Sequence, residues 1–190
     1  MNINKLGDGL IVVDVQRDFC PGGALAVPEG DQVVSPINRV LGLFRVVVFT
    51  QDWHPSTHIS FSSAGREGKW PDHCVAGTPG ADFHPDLQHV LATHIVRKGI
   101  SEDFDAYSGF DGTGLAGMLR DLGISRVFIG GLATDYCVRA TAMDALREGF
   151  ETVVLGNAVR GVNLTEGDSE RAMASMIEAG VVRSSTDQLI

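Results

Sequence analysis

Apolar positions along the chain follow two alternating periods. Short runs rich in β-branched residues occur at Leu10–Val15, Val46–Thr50, His94–Val96, Val127–Ile129 and Thr152–Leu155, with a weaker one at Val181–Val182. Continuous apolar character of this kind predicts strands buried on both faces of a parallel sheet. Between them the spacing turns helical. Val33, Val34, Ile37, Val40, Leu41 and Phe44 recur at three- and four-residue steps, as do Leu115, Met118, Leu119 and Leu122. Val138, Thr141, Ala142, Ala145 and Leu146 complete an i, i+3, i+4, i+7, i+8 stripe. Asp168 is placed to cap a last helix with Met173, Met176 and Ile177 on one face, and Pro36 fits only the opening turn of the first. Strand–helix alternation throughout predicts a three-layer α/β domain, doubly wound, spanning residues 1–190 as one unit.

The stretch from Gln51 to Pro85 breaks this rhythm. It has no sustained periodicity, yet it carries Trp53, Phe61, Trp70 and several histidines, which argues for a functional loop rather than disorder. Open α/β sheets bind ligands beyond the carboxyl ends of their strands. The residues just after each strand therefore hold the interest.

Two constellations collect there. After the second strand come Asp52 and His54, two apart and so on one side of an extended chain, with His73 later in Trp70-Pro71-Asp72-His73-Cys74. Together they make a two-histidine, one-carboxylate set with open positions, suited to a catalytic Zn²⁺, Fe²⁺ or Mn²⁺. Asp-x-His alone also arises in turns and capping pairs. His58 lies close enough to be a further ligand, an outer-shell group or a loop brace, whereas His84, His89 and His94 have no partner spacing. The second constellation is Asp14 inside an apolar run, Lys98 after the third strand and Cys137 after the fourth. Singly these read as a structural acid, a surface lysine and an inert buried thiol. Together at one sheet edge they are a proton acceptor, a charge that keeps it ionised, and a nucleophile. Cys137 is expected at a helix N-terminus, where the thiol pKa falls. The Gly130–Gly131 pair allows close backbone approach, so that N–H groups near Ala133 and Cys137 could form an oxyanion hole.

Bulk properties narrow the classes. The formal charge of -9 over 190 residues disfavours nucleic acid, and no apolar run reaches the roughly 18 residues of a membrane span. Three cysteines without a CxxC pair suit a reducing compartment better than a disulfide framework. The Met1–Gly9 segment lacks the regions of a signal peptide, so a cytoplasmic location is expected.

The segments IVVDVQRDFCPGGALAV, TQDWHP, WPDHCVAGTPGADFHP, DAYSGF and GGLATDYCVRATAMDA, in this order from about Ile11 to Gly161, resemble the nicotinamidase/pyrazinamidase branch of the isochorismatase-like hydrolases. The resemblance implies a six-stranded, Rossmann-like parallel sheet flanked by helices. It implies Asp14, Lys98 and Cys137 as catalytic triad, Ala133 and Cys137 as oxyanion hole, and Asp52, His54 and His73 as ligands of one divalent metal ion. Zn²⁺ is the first choice there, Fe²⁺ and Mn²⁺ the alternatives. Phe19, Leu25, Trp70, Tyr107 and Leu132 match positions of the substrate pocket, and the Leu132–Ala133 peptide matches one that is cis in the family. His58 is not carried over as a ligand, because its spacing from His54 differs from that of members recruiting such a histidine. The implied activity is hydrolysis of nicotinamide to nicotinate and ammonia through a cysteine thioester, in NAD salvage, with pyrazinamide as a second substrate. Another amidohydrolase of the superfamily and a non-catalytic nicotinamide sensor are the alternatives; an intact nucleophile argues against the sensor. Homo-oligomerisation is left open.

Overall fold

The structure, a computed structural model, describes residues 1–63 and 67–190. Six strands form one parallel sheet: β1 (Asp8–Val13), β2 (Val46–Asp52), β3 (His94–Lys98), β4 (Arg126–Leu132), β5 (Glu151–Arg160) and β6 (Val182–Ser184). Their spatial order is β3-β2-β1-β4-β5-β6. The order reverses between β1 and β4, the point at which a doubly wound sheet opens a crevice.

Strand side chains alternate between two cores. Leu10, Val12, Val47, Phe49, Phe128 and Val153 pack on α1 (Val34–Val40), with Ile37 and Val40 facing them. Ile11, Val13, Val46, Val48, Ile129 and Val154 pack on the opposite side. There they meet Leu115 and Leu119 of α2 (Leu115–Asp121), Ala142 and Ala145 of α3 (Arg139–Arg147), and Met173 and Met176 of α4 (Asp168–Ala179). Among the described residues no helix is long and apolar enough to cross a membrane.

Several boundaries differ from the sequence expectation, each for a physical reason. The first strand stops at Val13, because Asp14 adopts a left-handed backbone (φ 47°) that ends the extended run. The first helix keeps only the span that holds α geometry, with tight 3₁₀ turns at Gly30–Val33 and Leu41–Leu43 on either side. The residue preceding α4 is Gly167 in the left-handed region, and Asp168 opens the helix instead, accepting the Thr165 N–H at 2.8 Å. β3 and β6 lie at the sheet edges, so β3 alternates between half-buried and exposed positions rather than being buried on both faces.

The β1–β4 contact depends on Gly131. Its φ is +121°, and a Cβ there would lie 2.1 Å from the Val13 carbonyl oxygen and 2.7 Å from the Val13 nitrogen. Gly131→Ala must therefore push apart the two central strands, at an expected cost of roughly 2–4 kcal/mol in urea unfolding. A loss under about 0.5 kcal/mol, within the range of an ordinary surface change, would contradict this close approach.

Candidate active site

Four strand ends supply the site. Asp14 follows β1, Asp52 ends β2, Lys98 ends β3, and Cys137 lies on the turn after β4. The Lys98 ammonium, 1% exposed, is the hub. Its Nζ donates to Asp52 Oδ1 at 2.5 Å and to the Ala106 carbonyl at 3.1 Å, and it lies 2.9 Å from Asp14 Oδ2 and 3.5 Å from Cys137 Sγ. Burial disfavours the charged lysine, but Asp14, Asp52 and Cys137 outweigh burial and hold its pKa well above the ordinary value.

One ammonium thus faces two buried carboxylates, and the two fare differently. For Asp52 burial is opposed by Lys98 and by the His54 hydrogen bond, which together hold the carboxyl well below its usual range. For Asp14 burial prevails over Lys98, Asp52 adds to it, and the pKa rises. Thr50 Oγ1 donates to Asp14 Oδ1 at 2.6 Å. Asp14 Oδ2 is buried and ion-paired with Lys98 at 2.9 Å, with no other polar partner fixed to it by a well-aligned hydrogen bond among the described residues. An Asp14 carboxylate oxygen lies within 4.8 Å of Cys137 Sγ. Such divergence of two neighbouring acids marks one as fixed charge and the other as a group able to exchange a proton.

Cys137 corrects the sequence expectation twice. It sits not at the first turn of an α-helix but inside a wide π turn, Thr134–Val138, closed by the Val138 N–H to the Ala133 carbonyl at 3.0 Å. Helix α3 begins only at Arg139. Its thiol pKa is raised rather than lowered: burial is the main cause, Lys98 opposes it, and Asp14 and Asp52 push it further up. The resting group is therefore a thiol beside a proton acceptor. The Leu132–Ala133 peptide is cis.

Asp52, His54 and His73 form a second cluster, all buried, with one ligand atom from each lying within 4.8 Å of the others. His54 Nδ1 contacts the Gly99 carbonyl at 2.9 Å, and His73 Nδ1 the Pro71 carbonyl at 2.8 Å. A carbonyl only accepts, so each Nδ1 carries a proton, and Nε2 is the nitrogen each ring has to offer a cation. His54 Nε2 is 3.4 Å from Asp52 Oδ2, the oxygen not used by Lys98. Two imidazole nitrogens and one carboxylate oxygen, oriented by hydrogen bonds behind them, fit a divalent cation with coordination positions to spare. Gly99 makes this possible: its φ is +61°, and a Cβ would stand 2.3 Å from His54 Cε1.

His58, wholly buried, is outside this cluster. Its ring stacks on His54 at 4.1 Å between centroids. Nδ1 receives the Ser60 N–H at 3.3 Å and lies 2.7 Å from Ser60 Oγ, while Nε2 contacts the Phe104 carbonyl at 3.1 Å. Both nitrogens are committed, and burial, then His54, depresses its pKa. The geometry is that of a neutral brace behind His54.

Above these groups opens a cavity of about 460 Å³, its mouth included, to which Cys137, Ala133, Asp52, His54 and His73 all contribute. Phe19, Leu25, Trp70, Tyr107 and Leu132 are among its walls. Trp70 Nε1 donates to Tyr107 Oη at 3.0 Å, and Tyr136 stands edge-on to Trp70 at 5.1 Å between centroids. Asp14 and Lys98 lie beneath the floor. Sequence reasoning missed Val27, Asp105, Ala106 and Val162 in this lining. Asp105 and Ala106 were legible in principle from the DAYSGF segment, whereas Val27 and Val162 carry no signal beyond being apolar.

The model of the isochorismatase domain family matches residues 8–188. A nicotinamidase of Acinetobacter baylyi is 41% identical over 201 residues, covering 95% of this chain and 94% of that protein. The crystal structure of a pyrazinamidase of Pyrococcus horikoshii in complex with zinc superposes with a TM-score of 0.87 at 49% identity, over 94% of this chain and 98% of the other. PnC1 from L. infantum, solved in complex with nicotinate, gives a TM-score of 0.94 at 39% identity, over 100% of this chain and 98% of the other. With six parallel strands, this ordering and these relatives, the chain belongs to the isochorismatase family, in its nicotinamidase branch.

Proposed function

We propose that this site hydrolyses nicotinamide to nicotinate and ammonia through a thioester on Cys137, with pyrazinamide as a second substrate and NAD salvage as the setting. The observation that carries the reading is the buried Asp14 carboxyl group beside the Cys137 thiol and the Lys98 ammonium, under a cavity walled by aromatic rings. A flat ring fits between Phe19, Trp70 and Tyr107. Asp14 takes the thiol proton as sulfur attacks the carboxamide carbon. The N–H groups of Ala133 and Cys137 receive the oxyanion. Asp14 hands its proton to the departing amide nitrogen, which leaves as ammonia. It then takes a proton from the water that attacks the thioester, and returns that proton to the sulfur as nicotinate is released. Lys98 balances the charge of Asp14 through each transfer.

Asp52, His54 and His73 hold one divalent cation in this reading, Zn²⁺ being the ion that two imidazoles and a carboxylate suit first. Bound there, it supplies a Lewis-acidic anchor for the ring nitrogen, a matter of orientation rather than of making the nucleophile. The whole chain, residues 1–190, acts as one domain on a small molecule, in the cytoplasm.

Ammonia release from nicotinamide, pyrazinamide and benzamide tests this, with protein as purified, stripped by chelator, and reloaded with Zn²⁺. Nicotinamide and pyrazinamide are hydrolysed; benzamide, which lacks the ring nitrogen, reacts at least about 100-fold more slowly. Stripping abolishes turnover and Zn²⁺ restores it. No ammonia from nicotinamide would refute the function, and equal rates on benzamide would remove ring-nitrogen anchoring.

A further inference from the structure

Gln16 is wholly buried, is not among the residues that line the cavity over the site, and takes no part in the chemistry above. Its place in the sheet explains why an amide is there. The last β1–β2 pair is Val12 with Phe49, after which β1 ends and Asp14 turns away. β2 continues three residues further, to Asp52. On its β3 side Asp52 pairs with Lys98. On its β1 side no strand remains, and a buried peptide group without partners is costly.

The Gln16 carboxamide fills that gap. Its Oε1 accepts the Asp52 N–H at 2.8 Å, and its Nε2 donates to the Asp52 carbonyl at 2.8 Å. The second Nε2 hydrogen goes to the Ala81 carbonyl at 2.9 Å. Donor and acceptor on one planar group reproduce what a neighbouring strand would offer. With both polar groups of its main chain pinned, Asp52 has a fixed Cα–Cβ direction. That direction sends one carboxylate oxygen to Lys98 and leaves the other beside His54.

We infer that Gln16 is a positioning residue, a one-residue substitute for the missing strand, which holds the Asp52 carboxylate in register between Lys98 and the cation. The inference rests on the metal reading above. A ligand held from behind in this way typically loses 10–100-fold in metal affinity when its support is removed.

The test is Zn²⁺ affinity of the metal-stripped full chain, measured by competition with a chromophoric chelator, alongside thermal unfolding of the metal-free protein. Gln16→Met keeps the volume and loses all three hydrogen bonds. Gln16→Asn keeps the amide but is one methylene too short, and serves should the methionine variant not fold. Gln51→Met is the control, because the Gln51 side chain also donates to the Ala81 carbonyl, at 2.9 Å, but its other hydrogen bond is to Arg97 rather than to the Asp52 main chain. Both Gln16 variants are expected to bind Zn²⁺ about 10–100-fold more weakly than wild type, and Gln51→Met within about twofold of it. A merely structural role would lower the metal-free midpoint and leave affinity intact. Gln16 variants within twofold of wild type would overturn the inference. Failure of wild type itself to take up Zn²⁺ would instead sink the metal reading on which it stands.

Discussion

Cys137→Ala is expected to lower ammonia release from nicotinamide by about four orders of magnitude or more, the scale on which removing a nucleophile acts in other covalent hydrolases. Neither Asp14 nor Lys98 can substitute, since one is wholly buried and the other 1% exposed, below the cavity floor. The loss belongs to chemistry rather than to folding. Cys137 is a small side chain 7% exposed, bordering a cavity that already has open space, so truncation removes few contacts. Nicotinamide should accordingly still bind, which equilibrium dialysis against the variant would show. Cys137→Ser is expected to be nearly as inactive. The thiol already needs Asp14 to take its proton, because burial lifts its pKa well above the ordinary value, and an alkoxide is harder still to form. Acid quenching of wild type during turnover should trap an acylated Cys137 by mass spectrometry, with none on the alanine variant. Ammonia release by Cys137→Ala at even one hundredth of the wild-type rate would take the sulfur out of the mechanism.

How much of this was legible beforehand differs residue by residue. The strands were legible because both faces of a central parallel strand are buried: Ile11 and Val12 point into different cores, yet both must be apolar. The site followed from topology, since Asp14, Asp52, Lys98 and Cys137 each stand at or just beyond a strand end, and parallel strands bring all such ends to one edge. Boundaries were less legible. The left-handed turn at Asp14 and the π turn holding Cys137 are answers to local crowding and hydrogen bonding that no periodicity encodes. The thiol pKa was misjudged because a helix terminus is a local feature, whereas desolvation depends on everything packed around the sulfur. Gln16 stayed invisible for a related reason. A glutamine two residues past a strand looks like a surface residue until the neighbouring strand proves to be longer than the one it leaves.

Lys98→Met should produce the largest loss of stability among single changes at this site. The side-chain volume is nearly kept, so packing changes little. What disappears is the ammonium that bridges two buried carboxylates, with Asp52 already acting to raise Asp14. Removing one partner from a buried ion pair typically costs about 3–5 kcal/mol, because the other charge is left uncompensated. Urea unfolding of metal-stripped protein at neutral pH measures it without help from a bound cation. The pH dependence gives a sharper signature. Burial raises Asp14 above its unfolded pKa, and Lys98 is the main influence opposing that rise. In the methionine variant the carboxyl climbs further, so between the ordinary carboxylate value and the raised one the native state binds more protons than the unfolded state. Stability contributed by such a group is present at low pH and is lost as pH rises through its folded pKa. The gap between variant and wild type should therefore widen from acid toward neutral pH and narrow again on acidification. A variant within about 1 kcal/mol of wild type at neutral pH, or a gap that does not change with pH, would mean that Lys98 is not the charge that makes two buried acids tolerable.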